Sequence, residues 1–261
     1  MKKTLAAFAA VLSLVFAGCG KSGENVLRVG ATPVPHAELL GLIKEEMAEK
    51  GIALKVVEFT DYVTPNMALM AGDIEANFFQ HLPYLQSNDE WNASLVPAFG
   101  VHVEPFGLYS RRFQSVDGLP DGASISIPSD PSNGGRALLL LQARGLITLR
   151  PEAGLLATPR DIVGNPRGFV FHELEGAQLP RSLGDVDAAT INGNFAMQAG
   201  LNPVEDSLAI ENADSPYVNI MVVRRGDEND PRILALRDAL LSQKVREYID
   251  RSYDGGVVSV F

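Results

Sequence analysis

The sequence predicts an α/β protein of two lobes joined by two extended crossings, with a cleft between the lobes. Three observations carry this. Strand-like and helix-like segments alternate in two separate stretches, which implies mostly parallel sheets covered by helices. Two long extended runs stand where the chain would pass from one stretch to the other. Loops bearing aromatic and amide side chains fall just beyond predicted strands, where open α/β sheets place their ligands.

The chain begins with a leader. Lys2 and Lys3 precede an apolar run from Leu5 to Ala17, and small residues stand before Cys19. A basic start, a short apolar middle and a small-residue cut site make a secretory signal over residues 1–18. The run is shorter than the ~20 residues a membrane-spanning helix needs. A cysteine at the cut site predicts a lipid-modified N-terminus at Cys19, as in a bacterial lipobox, although Phe16 replaces the usual leucine. Residues 19–25 are polar and glycine-containing, a tether.

Val26 to Gly30 reads as a first strand. Leu39, Leu40, Ile43 and Met47 form a helical stripe within His36 to Lys50, which Gly51 ends. Leu54 to Phe59 is strand-like, Pro65 to Met70 helical, and Ile74 to Phe79 a third strand. Leu95 to Ser110, interrupted by Pro97 and Pro105, reads as the first crossing. A second alternation follows: a strand at Ser124 to Ile127, a helix over Arg136 to Ala143, a strand at Asp187 to Ile191 and a helix over Phe195 to Ala199. Tyr217 to Val223 reads as the crossing back, and helices at Pro231 to Leu241 and Ser242 to Tyr253 close the chain. The first lobe is therefore expected over 26–106 and 224–261, and the second over 107–223.

Composition narrows the function classes. Of 261 residues, 46% are hydrophobic, enough for two cores in the 243 that follow the leader. Removing Lys2 and Lys3 with the leader takes the formal charge from −10 to about −12, which repels phosphate backbones and argues against nucleic acid as a partner. Cys19 is the single cysteine, so no intrachain disulfide and no thiolate metal site is expected. The four histidines, His36, His81, His102 and His172, lack metal-ligand spacing. No nucleophile elbow or P-loop ending appears, and no cofactor is expected.

Four aromatic-ring residues, Tyr62, Phe79, His81 and Tyr84, fall beyond strands of the first lobe and could form one apolar wall, suited to a thioether or alkyl side chain. The alternative is that they fill the core. Between a strand and a helix, Ser129 to Arg136 includes Asn133, Gly134 and Gly135. Ser132 or Asn133 could cap that helix, the glycines could let a ligand approach the backbone, and the helix start together with Arg136 suits a carboxylate. The competing reading makes Arg136 a surface salt bridge. As a cleft residue it is expected to be replaceable without loss of the fold. Asn192, Asn194 and Asn219 stand at strand ends; turn formation beside Gly193 explains Asn194 more simply than binding.

Phe59-Thr60-Asp61-Tyr62-Val63, Asn77 to Leu85, Gly107 to Ser110, Pro128 to Arg136 and Ser215 to Asn219, taken in this order, resemble the methionine-binding lipoprotein family (MetQ/NlpA). The resemblance runs from Pro35 to Gly256. It implies a type II periplasmic-binding-protein fold, a ligand in the interlobe cleft, and an ABC permease with its ATPase as partners. It also implies a methionine side chain among Tyr62, Phe79, His81 and Tyr84, a carboxylate on Arg136, and a head group bonded by Asn192 and Asn219, with Asn133 assisting. The residues by themselves support a small apolar amino acid or close derivative; D-methionine and methionine dipeptides carry the same groups. Two other classes compete: an extracytoplasmic enzyme on the same scaffold, for which no nucleophile or acid–base pair can be named, and a surface adhesin. The reading preferred is a non-catalytic lipoprotein anchored outside the cytoplasmic membrane.

Replacing Cys19 tests the anchor. Cys19→Ala is expected to bind ligand normally and to move from the membrane fraction to the soluble fraction. Retention in the membrane fraction would refute lipidation.

Overall fold

The computed structural model describes residues 25–212 and 215–261. The leader and Cys19 lie outside the described residues. The first lobe opens with β1 (Val26–Ala31), α1 (Glu38–Leu42), α2 (Lys44–Glu49), β2 (Ala53–Glu58), α3 (Thr64–Ala71), β3 (Ala76–His81), α4 (Leu82–Gln86), α5 (Asp89–Ser94) and β4 (Leu95–Val103). The second lobe holds β5 (Gly107–Tyr109), β6 (Ser124–Pro128), α6 (Pro131–Ala143), the short pair β7 (Thr148–Leu149) and β8 (Ile162–Gly164), β9 (Val170–Leu174), α7 (Leu179–Ser182), β10 (Ala188–Ile191), α8 (Gly193–Gln198) and β11 (Ser207–Ile210). The chain then returns with β12 (Val218–Arg224), α9 (Pro231–Leu240), α10 (Gln243–Ser252) and β13 (Val258–Ser259).

The first sheet has the order β13-β4-β12-β3-β1-β2, and the second β11-β5-β10-β6-β9. In the first, β2, β1 and β3 are parallel, while β12 runs antiparallel to both β3 and β4. In the second, β9, β6 and β10 are parallel and β5 is antiparallel to β10. Helices cover both faces of each sheet. Leu39, Leu40, Ile43, Met47, Leu236, Leu240, Val245 and Ile249 pack on one face of the first, and Leu69, Leu85 and Trp91 on the other. Because both faces are covered, every residue of β3 is buried, and the strand shows none of the in–out alternation of a half-solvated sheet.

The expected two-lobed α/β plan is present, with two shifts. Leu95 to Ser110 is not one crossing: β4 is a full strand of the first sheet and β5 a strand of the second, so the passage is confined to 104–106. Tyr217 to Val223 is not a crossing either, because β12 sits inside the first sheet between β3 and β4. The expected lobe boundary at 223/224 therefore moves ahead of Val218. An extended run reads alike whether it pairs on both sides or spans a gap. The two crossings touch each other: Glu211 N–H donates to Phe106 O at 2.9 Å, and Phe106 N–H donates to the Glu211 carboxylate at 3.2 Å.

The helix that bears Arg136 begins earlier than its apolar stretch suggests. Pro131 stands in its first turn, and the cap is Asp130, whose carboxylate accepts from Asn133 N–H at 2.9 Å, rather than Ser132 or Asn133. Proline is pre-organised for that turn and aspartate is a strong cap. Gly134 and Gly135 admit the chain's own backbone rather than a ligand. A Cβ on Gly135 would stand 2.2 Å from Leu155 O, and one on Gly134 2.9 Å from Pro128 O.

That contact gives a signed prediction. Gly135→Ala should lower the unfolding free energy by about 1–3 kcal/mol, the usual cost of overpacking. Gly41→Ala, in α1 with nothing within 4 Å of the added carbon, should raise it by up to about 1 kcal/mol. Urea titration monitored by circular dichroism reads both, and equal effects would refute the packing argument.

Candidate functional site

A cavity lies between the lobes, lined by Tyr62, Phe79, Gln80, His81, Tyr84, Glu104, Asn133, Arg136, Asn192, Gly193, Asn194 and Asn219. All eight side chains expected to bind ligand are on its walls.

The aromatic wall comes from the first lobe. Phe79 and His81 stand on β3 and Tyr84 on α4, while Tyr62 follows β2 in a turn where the Asp61 carboxylate accepts from Val63 and Thr64 N–H. Tyr84 Oη donates to Tyr62 O at 2.9 Å, and the Tyr62 ring lies 5.8 Å from Phe79 and 5.7 Å from Tyr84. His81 Nδ1 accepts from Tyr84 N–H, which fixes the imidazole at the start of α4. Burial, aided by the nearby Arg136 charge, pushes His81 down to about 3, so the wall carries no charge at neutral pH. Behind it, Asn66, Asn77 and Gln80 bond one another through their amides, with Gln80 Nε2 donating to Asn66 Oδ1 at 2.7 Å and to Asn77 Oδ1 at 2.8 Å. These amides tie α3 to β3 without placing a charge beneath the rings.

The opposite wall is polar and comes from the second lobe and the crossings. Arg136 is 3% exposed, so it is not a surface salt bridge. Nor is its two-bond fork open to a ligand: Nε and Nη2 reach the Glu211 carboxylate at 2.6 to 3.0 Å, and Nη2 also donates to Glu104 O at 2.9 Å. The guanidinium lies 4.2 Å from the Tyr217 ring and 5.1 Å from Phe106. Nη1 makes no hydrogen bond among the described residues and is the donor left for the cavity. The α6 start is likewise less free than expected, because Asp130 supplies an anion there. Burial pushes the Asp130 carboxyl up, against the pull of the Asn133 and Ser132 N–H groups.

Asn133 Oδ1 accepts from Asn192 Nδ2 at 2.8 Å and lies 3.2 Å from His81 Nε2. Asn192 Oδ1 and Asn194 Nδ2 are buried with no hydrogen-bond partner among the described residues. That leaves one acceptor and one donor with unmet bonding capacity on the cavity wall. Asn194 is thus a wall residue in the first turn of the helix α8, not the turn former expected. Its Oδ1 accepts from Tyr62 Oη at 2.5 Å, and its neighbour Phe195 stacks on Tyr62 at 4.7 Å. These contacts and the His81–Asn133 pair join the two lobes across the cleft.

Sequence reasoning missed Glu104, Gln80, Gly193, Glu211 and Tyr217. Glu104, in the first crossing, is the most informative. It is 5% exposed, and burial pushes its carboxyl up, opposed by His36, Arg136 and the Asn194 N–H. Its Oε1 lies 2.9 Å from His102 Nε2 and 3.3 Å from His36 Nε2. A Cβ on Gly193 would stand 2.9 Å from Glu104 Cβ, so this is the glycine where close approach matters. His36, His102 and Glu104 present ligating atoms within 4.8 Å of one another, a proximity that spacing along the chain did not show. Their short contacts form a hydrogen-bonded cluster; burial holds His36 near 4 and His102 near 3, so both rings are neutral at pH 7. Of these, only Glu104 carries a signal that could have flagged it: a charged residue inside an otherwise apolar stretch.

The chain is similar to known proteins along most of its length. The membrane lipoprotein TpN32 of Treponema pallidum is 47% identical over 249 residues, covering 95% of this chain and 93% of its own. The D-methionine-binding lipoprotein MetQ of Escherichia coli K12 is 40% identical over 263 residues, covering 98% and 97%. Among solved structures, a nutrient binding protein from Burkholderia cenocepacia bound to methionine superposes with a TM-score of 0.87 at 42% identity, covering 90% of this chain and all of that one. A periplasmic substrate-binding protein of an ABC transporter from Coxiella burnetii gives 0.85 at 42% identity, again covering 90% and 100%. Residues 27–261 match the NlpA lipoprotein family along their whole length, and the chain belongs to that family.

Proposed function

We propose that this chain is a lipid-anchored solute-binding protein that captures methionine, or a close derivative, outside the cytoplasmic membrane and delivers it to an ABC permease and its ATPase. The observation that carries the reading is the division of one interlobe cavity into an uncharged ring wall and a polar wall that offers both donors and acceptors. An α-amino acid is a zwitterion. Arg136 Nη1 and Asn194 Nδ2 are donors suited to its carboxylate, and Glu104 with Asn192 Oδ1 are acceptors suited to its ammonium.

The ring wall suits a flexible thioether, since sulfur and aromatic rings attract and neutral His81 adds no charge. Burying about 100 Å² of such a side chain contributes ~2.5 kcal/mol. That term alone separates methionine from leucine by little, because methylene-scale differences give only ~1–3 kcal/mol. Methionine is favoured here by the names of the relatives, several of which are methionine-binding lipoproteins. The ligand would enter an open cleft, and closure about the paired crossings would bring Asn194 and Phe195 onto Tyr62. We read the role as capture without chemistry. Incubation with amino acids and methionine dipeptides, followed by chromatography, should return them unchanged, and turnover would overturn the assignment.

Two further measurements test the ligand. Denaturing the purified protein and analysing the released small molecules by mass spectrometry should yield methionine; a sugar, or a peptide lacking methionine, would overturn the reading. Arg136→Ala should weaken L-methionine binding at least about 100-fold in calorimetry. Because the guanidinium is buried against Glu211, the same variant should lose about 3 kcal/mol of stability, contrary to the expectation of an intact fold. Unchanged affinity would remove Arg136 from the site.

A further inference from the structure

We propose that His36, which does not line the cavity, is a positioning residue that locks the Asn219 amide with its nitrogen toward the ligand, and that Thr32 and Glu104 hold His36 in the tautomer this requires. The inference rests on the amino-acid reading above and names the device that fixes one of its head-group contacts.

The geometry is a chain of buried groups. Thr32 Oγ1 lies 2.7 Å from His36 Nδ1, and His36 Nε2 lies 3.1 Å from Asn219 Oδ1 and 3.3 Å from Glu104 Oε1. Thr32 and His36 are both at most 1% exposed, and Asn219 is 5% exposed. A neutral imidazole carries one N–H, and which nitrogen bears it depends on the groups facing each. At Nε2 both facing atoms, a carboxylate oxygen and an amide oxygen, are acceptors; a lone pair there would be repelled by both. The proton therefore sits on Nε2. Nδ1 is then an acceptor, and the Thr32 hydroxyl, whose one hydrogen-bonding contact among the described residues is this nitrogen, donates to it.

The charged and titratable groups facing the ring are Glu104 and His102, with Arg136 beyond Glu104. His102 presents Nε2 to the same Glu104 oxygen and is hydrogen-bonded to it, while His36 Nε2 lies 3.3 Å from that oxygen and is hydrogen-bonded to Asn219. The Phe78 ring packs edge-on against His36 at 4.6 Å, fixing its plane. With Asn219 Oδ1 bound to His36, Asn219 Nδ2 is the polar atom left for the cavity, and it makes no hydrogen bond among the described residues. Without His36 the amide could turn over and present oxygen, which repels a carboxylate. Thr32 and His36 follow β1, and Asn219 is on β12 of the same sheet. The device is therefore built before the lobes close.

Nitrogen-15 NMR of the full-length wild-type protein reads the tautomer directly. The expected result is protonated Nε2 and bare Nδ1 at His36 at pH 7; an Nδ1–H tautomer overturns the proposal. Calorimetry with L-methionine then tests the consequence. His36→Leu should bind about tenfold more weakly. His36→Gln, whose amide nitrogen falls near the position of Nε2, should recover most of that loss, whereas His36→Asn, which mimics Nδ1, should not. In the Asn219→Ala background, His36→Leu should cost less than about twofold, because its effect runs through Asn219. Additive losses, or equal affinities for the Gln and Asn variants, would assign His36 a merely structural role. A wild type with the Nε2–H tautomer that fails to bind L-methionine would sink the ligand reading while supporting the lock.

Discussion

A guanidinium taken out of water must be paired, and the arrangement of the cleft follows from how Arg136 meets that requirement. Its partner, Glu211, stands on the return crossing and also bonds Phe106 on the outward one. One ion pair therefore ties the ligand-facing helix α6 to both hinge strands. Breaking a buried pair leaves a lone charge and costs several kcal/mol. The side chain is consequently fixed in direction, stacked on Tyr217, with a single amino group facing inward. A fully open fork would bind a carboxylate more strongly by itself, but it would swing without the pair. The fold gives up bonding capacity for orientation.

The same economy governs the rest of the polar wall. Neutral amides do most of the bonding: Asn133 bridges Asn192 and His81, and Asn194 takes the Tyr62 hydroxyl. An amide brings both a donor and an acceptor at a desolvation cost far below that of an ion. The two ionisable side chains that line the cavity, Arg136 and Glu104, are of opposite type, and Arg136 is already paired with Glu211. The histidines around the cavity are held uncharged by burial through the physiological pH range.

Much of the site was legible because strand ends and helix starts are set by local pattern. Phe79 and His81 close an apolar strand, and Asn133 and Arg136 open an apolar helix, so their placement needed no long-range knowledge. What stayed hidden depends on contacts between distant segments. Nothing around Glu211 says that it will meet Arg136, 75 residues away. Nor does anything near Glu104 say that two histidines will close on it, although His102 is only two residues before it. The error over β12 has the same origin: an apolar extended run becomes a central strand only when β3 and β4 flank it. The glycines failed differently. Gly134 and Gly135 did mark a close approach, but that of the chain's own backbone, while Gly193 was passed over as a turn.

Closure itself is set by small differences. The direct cross-cleft bonds are few, chiefly Tyr62 to Asn194, His81 to Asn133 and the Tyr62–Phe195 stack, each worth on the order of 1 kcal/mol net. Against them stands the loss of water and freedom when two wetted walls meet. In the proposed mechanism such a balance places open and closed forms within a few kcal/mol, and a ligand that touches both walls decides the population. In the proposed binding mode an amino acid does so when its head group meets Arg136, Asn219 and the amides of the second lobe while its side chain lies on the rings of the first. A ligand satisfying one wall would bind the open form equally well and shift nothing. On the proposed reading selectivity and closure are the same requirement, imposed because Arg136 and the second-lobe amides face the first-lobe rings across the cleft.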